Sequence, residues 1–99
     1  MNENVEQWNI SKNSVSSEKG LVASQHWLAS SVGADALKKG GNAIDAAIAC
    51  AFALNVVEPW MCGLGGSGYI LIWLAKTKEM KVIDFQGILP KSILSLIHI

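Results

Sequence analysis

The chain has 99 residues, enough for one small domain at most. Eight basic and eight acidic residues cancel, which excludes the excess positive charge of a nucleic-acid or membrane-surface footprint. Apolar residues make up 51%, too many for a disordered chain.

Residues 1–19 are polar, with no apolar run of the kind a secretory signal needs, and read as a flexible lead. Trp8 and Ile10 stand alone there, placed to dock on a neighbouring element. Gly20-Leu-Val-Ala-Ser24 is a short apolar run, expected as a strand. Residues 26–39 are expected as a helix with Leu28, Val32 and Leu37 near one face. Ala29, Ser30, Gly33 and Ala34 are small and permit close approach of another backbone. Lys38 and Lys39 complement the dipole of the last turn, and Gly40 and Gly41 supply a left-handed stop.

Asn42 is a natural N-cap for the next helix, with Asp45 three residues on in a capping-box position. That helix is expected over residues 43–57, with Ile44, Ala47, Ile48, Ala51 and Leu54 as a stripe. The rest of its surface is small rather than polar, the pattern of a buried helix. It ends before Pro59, which disfavours a helical residue ahead of it. The segment carries Asp45 and falls short of the roughly 20 apolar residues a membrane span needs.

Cys62-Gly-Leu-Gly-Gly-Ser-Gly68 is a glycine loop. It feeds Tyr69-Ile-Leu-Ile-Trp-Leu-Ala75, which is apolar on both alternating faces and reads as a central strand covered on both sides. Residues 76–79 form a polar turn, and residues 80–85 return as a second strand in a hairpin. Residues 94–99 look like the translation of a transposase sequencing adapter rather than protein. The expectation is a native chain cut near Ile93.

The chemistry-bearing residues are few. Gly63, Gly65 and Gly68 match G-x-G-x-x-G, but a dinucleotide site needs a strand before the loop and a helix after it. Here the order is reversed, so the glycines read as backbone framework. His26 reads as structural, near a helix start, because neither a nucleophile nor an orienting acid is indicated beside it. Cys50 and Cys62 lack metal-ligand spacing and read as ordinary buried thiols, with a disulfide or a reactive thiol left open. No cofactor or metal site is indicated. All eight basic residues are Lys, so the chain has no Arg, the usual bidentate clamp for a carboxylate.

Four runs taken together go further. Leu21-Val-Ala-Ser-Gln-His-Trp-Leu-Ala-Ser30 precedes Gly40-Gly-Asn-Ala-Ile-Asp-Ala-Ala47, followed by Val56-Val-Glu-Pro59 and Gly63-Leu-Gly-Gly-Ser-Gly68. Their order and spacing over residues 20–90 resemble the start of the large subunit of gamma-glutamyltranspeptidases. The resemblance implies an α+β chain that is an incomplete piece of an αββα N-terminal nucleophile hydrolase sandwich, with residues 20–93 as the family part. It implies a precursor that cleaves itself into large and small subunits. A new N-terminal Thr, missing from this chain, would attack a gamma-glutamyl amide such as glutathione. The partners it implies are that small-molecule amide and the small subunit of the same precursor.

After the second strand the family commonly carries Asp-x-Arg-Glu-x-Ala-Pro, whose Arg holds the substrate α-carboxylate. The aligned run here is Asp84-Phe-Gln-Gly-Ile-Leu-Pro90, which puts Gln86 at the Arg position and Gly87 at the Glu position. The resemblance therefore makes Gln86 the candidate substrate-binding residue and leaves the acyl specificity open. A divergent acylase with another acyl substrate is one alternative. A small non-enzymatic α/β interaction module is the other. The family is often exported or membrane-anchored, whereas a cytoplasmic location is expected if Met1 is the true start.

Overall fold

The computed structural model describes residues 8–90, which form two helices followed by a hairpin: α1 (Trp27–Lys38), α2 (Ala43–Val57), β1 (Tyr69–Leu74) and β2 (Glu79–Asp84). Residues 94–99, together with the start of the N-terminal lead, lie outside the described residues. The described part of the lead is exposed and without regular structure. The run 20–24 takes no regular structure and has no strand partner among the described residues, which corrects the strand expected there.

Both helix ends follow their local chemistry. His26 is the N-cap of α1, its Nδ1 accepting the backbone N–H of Leu28 at 3.1 Å. At the other end Gly40 N–H donates to Leu37 O (3.0 Å) and Gly41 N–H to Ala36 O (2.9 Å), with Gly40 at φ 93. This is the Schellman pattern, and it needs the left-handed backbone that glycine adopts without a Cβ clash. The capping box of α2 is complete: Asp45 N–H donates to Asn42 Oδ1 and Asn42 N–H to Asp45 Oδ2, each at 2.9 Å. Helix α2 ends at Val57, and Glu58 leaves helical geometry at φ −132, ψ 59, as a residue before proline should.

The two helices pack through their smallest residues. Ala29 and Gly33 of α1 and Ala46 and Cys50 of α2 are buried. A Cβ added to Gly33 would lie 3.1 Å from Ala46 O and 3.4 Å from Cys50 Cβ. This corrects the expected stripe on α2. Of its large apolar residues Ile44, Ile48, Phe52 and Val56 are exposed, Leu54 and Val57 are half-buried, and the small side takes the helix contact. Leu28 and Val32 of α1 are likewise exposed. Small residues win this contact because they let two helix backbones approach, which extends dispersion contact along the whole interface.

Strands β1 and β2 pair antiparallel, from Tyr69 opposite Asp84 to Leu74 opposite Glu79. The four-residue turn between them places Lys78 at φ 54. Leu71 faces Val82 and Trp73 faces Met80 across one side of the hairpin; Ile70 faces Ile83 across the other. Only Ile72 and Leu74 of β1 are half-buried, and every residue of β2 is exposed. The expected cover on both faces of β1 is therefore not supplied by the described residues.

Candidate functional site

The site region is where the end of α2, the glycine loop and the end of β2 meet. Glu58 O accepts Met61 N–H at 3.0 Å and Cys62 N–H at 3.2 Å, so the chain turns tightly after the helix. The Cys62 thiol donates to the same oxygen at 3.4 Å. Gly65 then takes φ 78, and the loop runs straight into β1.

The loop and the end of β2 lock at two close approaches. Phe85 N–H donates to Gly68 O at 3.0 Å, adding one bond to the ladder beyond Tyr69 and Asp84. A Cβ on Gly68 would come within 2.9 Å of the Phe85 ring, and one on Gly87 within 2.8 Å of Ser67 Oγ. These glycines serve close packing between two backbone segments. The same elements border an open groove of about 700 Å³ lined by Phe52, Asn55, Trp60, Cys62, Gly65 and Phe85 among others.

Gln86 lies just past that junction and is exposed. Its backbone N–H donates to Asp84 Oδ1 at 3.1 Å, which fixes the chain direction after β2. It does not line the groove, whereas its neighbour Phe85 does.

The other candidates take structural places. The N-cap bond engages Nδ1 of His26 as an acceptor, so the ring proton of the neutral imidazole belongs on Nε2. Ser24 Oγ donates to the main-chain oxygen of His26 and lies 2.7 Å from Ser30 Oγ, with no bond to the imidazole. These three residues do not form a catalytic arrangement. Cys50 is buried at the helix contact, Cys62 is half-buried, and both are free thiols, so no disulfide joins them. Among the described residues no three His, Cys, Asp or Glu side chains stand together as a metal site. The glycine loop follows a helix and precedes a strand, the reverse of a nucleotide-binding turn. No helix among the described residues is long and apolar enough to cross a membrane.

Sequence reasoning missed Glu58. It is buried, at 7% exposure, although it is charged and sits at a helix end. Its position between an apolar helix and Pro59 was the available signal.

The arrangement of two helices, glycine loop and hairpin is that of solved gamma-glutamyltranspeptidases. It superposes on the Helicobacter pylori gamma-glutamyltranspeptidase with a TM-score of 0.72 and 43% identity, covering 80% of this chain and 22% of that one. The chain belongs to the gamma-glutamyltranspeptidase family, whose model matches residues 29–95. It is 60% identical over 71 residues to the glutathione hydrolase proenzyme of Bacillus subtilis subsp. natto, 72% of this chain and 12% of the relative. It is also 47% identical over 79 residues to the acylase ACY 1 proenzyme of Pseudomonas sp. (strain SE83), 80% of this chain and 14% of the relative. The chain thus spans about an eighth of the length of these relatives.

Proposed function

We propose that the chain is the N-terminal part of the large subunit of a self-cleaving enzyme that transfers or hydrolyses gamma-glutamyl amides such as glutathione. The single observation that carries this is the 60% identity to a glutathione hydrolase proenzyme, sustained over 71 residues. In this reading the nucleophile is a Thr at the N-terminus of the small subunit, outside this chain. Its hydroxyl attacks the amide carbonyl while its own α-amine takes the proton, and the leaving amine departs with a proton. The acyl-enzyme then passes to water or to an acceptor amine.

The residues of this chain supply framework. The apolar residues on both faces of β1 support its place as an inner strand of an αββα sandwich completed by later sequence. The proposed family unit is residues 20–93. The proposed partners are the small subunit and the amide substrate. Gln86 is the proposed contact to the substrate's α-carboxylate. A neutral amide donates a hydrogen bond there but lacks the charged fork of Arg.

That substitution, with the 47% likeness to an acylase proenzyme, favours a second reading in which the acyl group differs from gamma-glutamyl. The test is turnover by the longer polypeptide of a gamma-glutamyl anilide against an N-acyl anilide without an α-carboxylate. Preference for the first supports the gamma-glutamyl reading, and preference for the second supports the acylase. Absence of turnover on both overturns the proposal.

A further inference from the structure

Glu58 combines three properties that conflict. The residue is 93% removed from solvent, since 7% remains exposed. Among the described residues its carboxylate has neither a hydrogen bond nor an ion pair, and its oxygens meet water only through that small remainder. It also caps the C-terminal end of a 15-residue helix whose last turn holds no basic residue. Its main-chain oxygen, in contrast, accepts three donors.

The neighbouring surface is apolar and open. Val56, Trp60, Met61 and Leu64 are each more than 60% exposed. The described lysines offer no partner: the one ion pair among them joins Lys81 to Glu79.

We infer that Glu58 is the anchor for a Lys or Arg side chain carried by a later segment of the same polypeptide, which lies across the apolar end of α2. A cation is the charge complement of a carboxylate that no described residue pairs. The relatives are about eight times longer than the matched stretch, so a covering segment has the sequence to come from. This rests on the chain being part of a longer family polypeptide, and not on which amide that polypeptide cleaves.

The test is made on the longer polypeptide. Glu58→Gln is expected to lower Tm by several degrees, because it strands a buried cation. A Tm equal to or above that of the parent would overturn the pairing, since neutralising an unpaired buried carboxylate relieves the structure. If Glu58→Gln fails to fold, the crystal structure of the unsubstituted polypeptide decides. A Lys or Arg nitrogen within about 4 Å of the carboxylate supports the anchor. A shell of water, backbone amides, hydroxyls or a metal ion in its place overturns it. Turnover of the gamma-glutamyl anilide is recorded on the unsubstituted polypeptide, so failure of the reaction reading is seen separately.

Discussion

The absent side chain of Gly33 and the backbone of Ala46 set the distance between the two helices: a Cβ at Gly33 would lie 3.1 Å from Ala46 O and 2.8 Å from Val22 Cγ1. The carbonyl is part of α2 and cannot rotate away. Replacing glycine by alanine inside a helix ordinarily gains about 1 kcal/mol of propensity. Here the overlap outweighs that gain, because overpacking a close contact costs about 1–3 kcal/mol. Gly33→Ala is therefore expected to destabilise, and Gly33→Val more so, as read by denaturant melting of the longer polypeptide.

The capping box of α2 gives a second prediction. Asn42→Ala removes the acceptor for Asp45 N–H and is expected to cost about 1 kcal/mol. Asn42→Asp keeps an acceptor and is expected to cost less. Hydrogen exchange at the Asp45 amide checks the local origin, since it should speed up in the alanine variant alone.

Gly68 and Phe85 form a pair suited to a double-mutant cycle. A methyl at Gly68 would meet the Phe85 ring at 2.9 Å, and the ring can move only by giving up its place beside the glycine loop. Gly68→Ala is expected to destabilise the junction, and Phe85→Leu to relieve part of that loss. The two changes should be non-additive by about 0.5 kcal/mol or more. Simple additivity would mean that the loop and the end of β2 are not coupled there.

Catalysis is expected from the longer polypeptide and not from this chain by itself. The purified 99 residues are expected to show no turnover of a gamma-glutamyl anilide. In the longer polypeptide, Gln86→Arg is expected to lower KM for gamma-glutamyl substrates by about tenfold, the value of replacing a neutral hydrogen bond by a charged one. An unchanged KM would mean that Gln86 does not face the substrate carboxylate.

The exposed apolar surface predicts the behaviour of the chain in isolation. Leu71, Val82, Trp73 and Met80 line one open side of the hairpin, and both outer strand edges are unpaired among the described residues. The isolated chain is expected to self-associate and to lack a cooperative melt. A monomer with a sharp melting transition would instead favour the small interaction module.

The sequence by itself determined the local elements. Asn42 with Asp45 started α2, Gly40 and Gly41 stopped α1, Pro59 ended α2, and the polar turn divided β1 from β2. Each acts through backbone geometry or hydrogen bonds within a few residues, so each is written locally. Motif order and spacing likewise carried the family. The tertiary structure alone decided which side of α2 meets α1, because that depends on how closely two backbones can approach and not on which stripe is larger. It also decided that residues 20–24 stay unpaired and that Glu58 is buried. Those outcomes depend on neighbours distant in sequence, whose positions no local pattern encodes.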